Sequence, residues 1–456
     1  MFAVAAPAGG QERSGPSLPA SSPFLRGVPT GSADQQALPL SIADAINRAL
    51  QHNLGVLESE QAVARAAGAR RIALGDLLPN FDARASEVRQ KINLEAFGLP
   101  LPGVPPLVGP FNVFDARLFL SQSVFDLRAL NDVRAESHNL EAARFTHKSN
   151  RDLVVLVTVN LYLQALAASS RADTARAQLE TAQALYEQAQ DLKEGGIVAG
   201  IDVIRAEVRL ATERQRATAS ENAFQKAKLQ LARVVGLPIG QSFTLADEIP
   251  YAPLPEITME QALERAYKAR PDYQAALERM HAAEADRDSA RGELLPSVRV
   301  NAEYGAIGLT VAGALPTFAV AGAVDIPIFQ GGRVQGRIAQ AEADVRNRRS
   351  EAEDLRGEIY YDVRTAFLDL DATREELQVA TRARELAAMQ LTQARDRFAA
   401  GVASNIEVVQ AQEAVALAGE QYIGSLYGFN VSKAALARAL GVAEEAVRNY
   451  LGGSNR

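Results

Sequence analysis

The chain repeats itself, and this constrains its fold more than any other feature. Leu40-Ser-Ile-Ala-Asp-Ala45 and Ile257-Thr-Met-Glu-Gln-Ala262 open two parallel segments. Ala45 matches Ala262, Ala49 matches Ala266, Leu78 matches Leu295 and Pro79 matches Pro296. The offset is 217 residues throughout (262 − 45; 296 − 79), so no gap interrupts this stretch. Further along it becomes 205: Tyr162 matches Phe367, Leu163 matches Leu368, Gly196 matches Gly401, Val203 matches Val408 and Gly236 matches Gly441. The chain therefore divides into a loose leading segment over 1–38, repeats over 39–238 and 257–445, a linker over 239–256 and a tail over 446–456. The start, Met1-Phe-Ala-Val-Ala-Ala-Pro, reads as the tail of a secretory leader whose basic beginning is missing.

Within each repeat the period of the pattern changes. Helical stretches run to Leu77-Leu78-Pro79 and Leu294-Leu295-Pro296, where the proline stops them. Beyond each proline the residues alternate. Val298, Val300, Ala302 and Tyr304 fall on one side, with Arg299, Asn301 and Glu303 on the other. Ala116, Leu118 and Leu120 alternate with Asp115, Arg117 and Ser121, and Phe318, Val320, Val324, Ile326 and Ile328 with Ala319, Ala321 and Asp325. The alternation is weaker over Phe81 to Asn93. This predicts four strands in two hairpins, closed by a Pro-rich loop around 96–110 and a short one around 307–315.

A helical period then returns. Tyr162, Ala165, Ala172, Ala175, Leu179, Ala182, Tyr186 and Ala189 step by three and four, and Phe367, Leu370, Leu377, Ala380, Ala387, Leu391, Ala394 and Phe398 repeat the stripe. Such a seam of small side chains lets helices approach closely, as in a coiled coil. Helices over about 128–194 and 332–399 contain no proline, and each extends ~100 Å at 1.5 Å per residue. Gly195-Gly196 and Gly401 end them, and return helices run to Gly236 and Gly441.

Four strands cannot close a membrane barrel, because single-chain barrels begin at about eight. One copy would leave exposed edges and an apolar face. No run of roughly 20 apolar residues offers a helical span. The best, Leu153 to Ala168, is interrupted by Thr158, Asn160, Tyr162 and Gln164. Any membrane crossing must be a β-barrel built by several chains, and three copies would supply twelve strands.

The repeat, the order of strand pair and helical hairpin, and the phrases Pro327-Ile-Phe-Gln-Gly-Gly332 and Arg397-Phe-Ala-Ala-Gly401-Val-Ala-Ser404 resemble the TolC family of outer-membrane efflux proteins over residues 39 to 445. The resemblance implies an α+β membrane protein: a homotrimer with a twelve-stranded β-barrel in the outer membrane, continued by an α-helical coiled-coil tunnel through the periplasm. It implies a passive channel in efflux or type I secretion, with a periplasmic adaptor (membrane fusion protein) and an inner-membrane pump as partners. In the family, acids just after the tip glycines form rings at the narrowest point; by position these are Asp202 and Glu407, with Gln410 where well-known members carry a second acid. Ser404-Asn-Ile-Glu407 is also a capping box, and Asp202 suits a helix N-terminus; capping and gating are compatible. Gly196, Ile197, Val198, Gly401, Val402 and Ala403 are the expected adaptor-docking tips, and Arg117, Arg299, Glu303 and Asp325 the expected lining of the barrel lumen.

Other functions find little support. The net charge of −7 argues against a general nucleic-acid binder. With no cysteine there are no disulfides, thiolate chemistry or zinc-thiolate sites. His52, His138, His147 and His281 are scattered without metal-ligand spacing and read as surface histidines. Gly331-Gly332-Arg333 lacks the Lys-Ser/Thr of a phosphate loop and reads as a strand-to-helix bend. Tyr360-Tyr361, inside a helix, reads as packing. No enzyme and no cofactor is expected. The long helices alone would also suit a soluble coiled-coil scaffold or adaptor, but such a protein has no use for hairpins with one apolar and one charged face.

Overall fold

The computed structural model describes residues 19, 21–98, 103, 105–196, 199–247, 257–400, 402 and 405–444. The first repeat contains β1 (Leu38–Leu40), α1 (Ile42–His52), α2 (Leu54–Gly75), β2 (Asn80–Asn93), β3 (Leu107–Phe125), α3 (Leu127–Glu194) and α4 (Gly200–Val234). After β4 (Phe243–Leu245) the second repeat contains α5 (Met259–Ala269), α6 (Pro271–Gly292), β5 (Ser297–Gly308), β6 (Leu315–Asp325), α7 (Arg333–Ala399) and α8 (Asn405–Ala439). The segment between the repeats is thus not all linker: β4 lies in it and pairs in parallel with β1.

Chemistry as well as length repeats. The Ser41 side chain caps α1 by accepting from the Asp44 N–H, and Thr258 caps α5 by accepting from Gln261. In both, the third helical residue answers the cap's own N–H, a reciprocal box that satisfies two orphan donors. At the other end of each helix the two repeats diverge. Asn53 holds the Phe24 carbonyl at 2.9 Å and the Gly55 N–H at 2.9 Å. Its counterpart Arg270 instead grips Asp272 with two nitrogens, at 3.1 and 2.7 Å, and Asp362 at 2.7 Å.

The chain forms two compact units, and each draws on both repeats. One takes Met1–Gln61, Phe145–Gln274 and Leu355–Arg456; the other takes Ala62–Arg144 and Ala275–Asp354. The first holds the helical cores. Leu40, Ile46, Val154, Val155, Val159, Tyr162, Leu163, Leu231 and Phe243 form one cluster, and Ala262, Ala266, Ile359, Val363, Leu377 and Phe429 its second-repeat equivalent. Tyr162 is fully buried, with its hydroxyl 2.8 Å from the Leu40 carbonyl and 2.9 Å from Asp247 Oδ2. Its counterpart Phe367 has no hydroxyl and lies half-buried against the second cluster. The seam is as the periodicity predicts: Ala165, Ala172, Ala175, Ala182, Ala189, Leu370, Leu377, Ala380, Ala387 and Ala394 are buried. An 18-residue window of α3 has mean hydropathy 1.7, enough by composition to cross a membrane; 61% of it is buried inside the protein, which accounts for its apolar character.

The second unit holds an antiparallel sheet of order β2-β3-β5-β6. Its two hairpins are joined through β3 and β5, with Leu118 opposite Tyr304 and Phe119 opposite Glu303. Among the described residues β2 and β6 are edges, each with one neighbour. Two expectations need correcting. Ile326 and Ile328 do not continue the last strand, which ends at Asp325; they are 64% and 95% exposed in the connection to α7. Tyr360 and Tyr361 are not packed within the chain but are 43% and 70% exposed, their rings edge to face.

Candidate functional site: the sheet faces and the helical tips

Register sorts the sheet into two chemically distinct faces, because side chains alternate along each strand. Arg117 sits opposite Gly305 and Glu303 opposite Phe119, so Arg117, Glu303, Asn301 and Arg299 share a face. Arg84 lies opposite Arg117, and Asp325 opposite Ser297, which brings Asp82, Arg84 and Asp325 to the same side. All four residues expected in the lumen, Arg117, Arg299, Glu303 and Asp325, therefore lie on one face of one sheet. Arg117 is held by Asp115 on its own strand and by Glu303 across the pair at 2.7 Å. These carboxylates offset the repulsion from Arg84 directly opposite. Arg84 in turn lies over the ring of Phe119, 5.6 Å from its centroid.

The opposite face is apolar. Phe81, Ala83 and Ala85 pair with Leu120, Leu118 and Ala116; these meet Ala302, Tyr304 and Ala306, and then Val320, Phe318 and Pro316. Phe81, Tyr304, Phe318 and Val320 are each 64% exposed or more. A continuous exposed apolar face of this kind marks contact with lipid or another protein.

At the helical tips, Gly196 has φ +74°, the left-handed conformation that reverses the chain after α3. The N-cap of α4 is Ala199, with no side-chain cap, and Asp202 sits in the first turn, paired with Arg205 on the same helix at 3.3 Å. Glu407 occupies the matching first turn of α8. It pairs not along its own helix but with Arg397 of α7, at 3.7 Å. Gln410 is exposed one turn on, and Val402 is 68% exposed at the second tip. Ile197, Val198, Gly401, Ala403 and the capping Ser404 lie outside the described residues.

Sequence reasoning missed the polar ties between helices near these tips. Arg209 of α4 reaches Glu413 of α8 at 2.9 Å and Glu213 at 3.0 Å, with Glu213 only 1% exposed. Arg176 ties α3 to Glu221 of α4, and Arg171 ties α3 to Glu420 of α8, each at 2.6 Å. The Arg209 and Glu213 spacing of four was visible, but nothing local pointed to α8. The histidines are less scattered than expected. His138 bonds Glu278 at 2.7 Å and its ring lies 5.6 Å from that of His281, because α3 and α6 bring distant residues together. Among the described residues, no three His, Cys, Asp or Glu side chains are placed to hold a metal ion.

An open four-stranded sheet with one charged and one lipid-compatible face, repeated with long helical hairpins, defines a subunit of a multi-chain membrane channel. The family described as outer membrane efflux protein matches residues 45–237 and 262–442. The chain belongs to that family, an outer-membrane family of channel proteins. It is 24% identical over 409 residues to the pyoverdine export outer membrane protein OpmQ of Pseudomonas putida, covering 87% of this chain and 85% of that one. It is 21% identical to the outer membrane protein TolC of Escherichia coli, over 73% of this chain and 70% of that one. Its fold is that of the Campylobacter jejuni CmeC outer membrane channel, with TM-score 0.76 and 18% identity over 88% of this chain and 86% of that one.

Proposed function

We propose that three copies of this chain form a passive exit duct, a twelve-stranded barrel in the outer membrane continued by a helical tunnel into the periplasm. The observation that carries this reading is the open sheet: two unpaired edges and an exposed apolar face on one chain. Closure by copies of the same chain satisfies the edges without introducing any other partner. The apolar face then meets outer-membrane lipid, and Arg117, Arg299, Glu303 and Asp325 line the lumen. Asp202 and Glu407 form the acidic periplasmic gate, with Gln410 contributing a neutral side chain to it. Residues Gly196, Ile197, Val198, Gly401, Val402 and Ala403 dock a periplasmic adaptor, which couples the duct to an inner-membrane pump for efflux or type I secretion. The duct catalyses no reaction, and its cargo is set by the pump. Functional division follows the repeats, 39–238 and 257–445, joined by 239–256.

Mass measurement by light scattering in mild detergent, after fractionation of the envelope, tests this directly. A particle of three chains from the outer membrane is expected. A one-chain particle, or recovery in the soluble fraction without detergent, would overturn the proposal in favour of a coiled-coil scaffold.

A further inference from the structure

The two hairpins of the sheet differ in length. β5 and β6 pair no further than Ile307 with Leu315, and β3 meets β5 no further than Phe114 with Gly308. β2 and β3 continue alone. Val88 pairs with Val113, Arg89 with Asn112 and Gln90 with Phe111; past a register shift, Ile92 pairs with Val108 and Asn93 with Leu107. A two-stranded ribbon thus stands beyond the rim of the four-stranded sheet.

Along this ribbon the two faces exchange polarity. The face that carries Asp82, Arg84, Asp115 and Arg117 continues as Val88, Val113 and Phe111, with Gln90 beside them. The face that carries Phe81, Ala83, Leu118 and Leu120 continues as Glu87, Arg89 and Asn112, with Phe114 the exception. Asn112 Nδ2 donates to Glu87 Oε1 at 2.8 Å, which ties the polar side across the two strands. The register is continuous from Asn80 with Ser121 to Gln90 with Phe111, so the exchange is a property of the residues and not of a slipped strand.

An isolated two-stranded ribbon in water is marginally stable and has no cause to expose one apolar face. Val88 is 49% exposed on that face. The polar outward side is unsuited to lipid, so the ribbon stands above the membrane. When a sheet closes into a ring, the face bearing Arg117 turns to the axis, and the ribbon's apolar face turns with it. Across the axis stand the same ribbons of the other copies. A twelve-stranded wall has a radius of roughly 12 Å at ordinary strand spacing and tilt. The ribbon rises about 20 Å past the rim at some 3.3 Å per residue, and a bulge such as the one after Gln90 bends a strand pair. An inward lean of a few tens of degrees is sufficient for contact.

We propose that Val88, Val113 and Phe111 of three copies meet about the axis and form an apolar constriction at the outer mouth, opposite in character to the charged lumen. The inference rests on the ring proposed above. A constriction of this kind resists water and ions by dewetting, without any charged gate.

The chain has no cysteine, so single cysteines report cleanly. Val113→Cys should give disulfide-linked dimers on mild oxidation in the outer membrane, and Arg89→Cys, on the outward side, should not. In a second measurement, Ala319→Cys on the lumen face is labelled on whole cells with a membrane-impermeant maleimide. Adding Val113→Asp should speed that labelling about ten-fold, because a charge wets an apolar constriction. Light scattering on the same variants separates the possible failures. A three-chain particle with neither disulfide nor faster labelling overturns the constriction and leaves the channel standing. A one-chain particle overturns the ring, and the constriction with it.

Discussion

Glu407 on α8 is held by Arg397 on α7, whereas Asp202 at the matching position of the first repeat is held by Arg205 on its own helix. The 205-residue offset explains the difference. It sets Gln410 against Arg205 and Arg397 against Leu192. The second repeat lacks the cation one turn along, and supplies one from across the hairpin instead. The α7–α8 tip is therefore closed by an ion pair where the α3–α4 tip is not.

Exposed pairs of this kind add little to stability, so their effect should appear in the tip and not in the melting temperature. Arg397→Ala is expected to increase protease cleavage or hydrogen exchange at the α7–α8 tip while leaving the α3–α4 tip unchanged. Arg205→Ala should do neither. Equal loosening of both tips would show that the pairing asymmetry has no mechanical consequence.

Asp202 and Glu407 together would place six carboxylates around the axis of a trimer. Their double replacement by alanine should reduce cation preference, read as a smaller reversal potential under a salt gradient in planar bilayers. Carboxylate rings favour cations through their field. Unchanged selectivity in a well-folded variant would leave these acids with a helix-terminus role only.

Buried polar ties should show in stability. Tyr162→Phe removes the hydroxyl that meets the Leu40 carbonyl and Asp247, and should cost about 1–2 kcal/mol. Arg270→Ala strands Asp272 and Asp362 and should cost more, about 3 kcal/mol. Thermal unfolding in mild detergent orders the two. A larger loss from Tyr162→Phe would contradict this ranking.

Asp286 of α6 gives a pH signature. Burial pushes its carboxyl up from the ordinary 3.8 to about 6, and Glu136, Asp132 and Asp344 add to the shift. The folded state then holds its proton more tightly than the unfolded one between those values, so this group's contribution to stability falls as pH rises through the window. Asp286→Asn should flatten the loss between about pH 4 and pH 6. Stability curves of equal slope in that range would refute the assignment.

Much of this architecture was legible in the residues because it is local. The match of Ser41 and Thr258 at 217 residues foreshadows two capped helices of 11 residues each. The proline stops and the change of period from 3.5 to 2 marked where helices give way to strands, and the seam alanines are buried as their spacing required. Exposed Tyr360 and Tyr361 were misread because helical spacing shows which residues share a face, not whether one chain or several cover it. The Arg209–Glu413 tie was invisible for a related reason: it joins helices 204 residues apart in sequence.

By itself, then, the sequence determined the repeat, the kind and length of each element, and the polarity of each strand's two sides, all of which arise from short-range sterics and periodicity. Tertiary structure alone decided that β3 pairs with β5, which brings Arg117 to Glu303 across 186 residues and joins two hairpins into one sheet. It also decided that β2 and β3 outrun that sheet, and that Glu407 takes its cation from the neighbouring helix. The physical reason is common to all three. Register and partner choice between distant segments depend on which pairing buries and satisfies the most groups at once, and no single segment records that total.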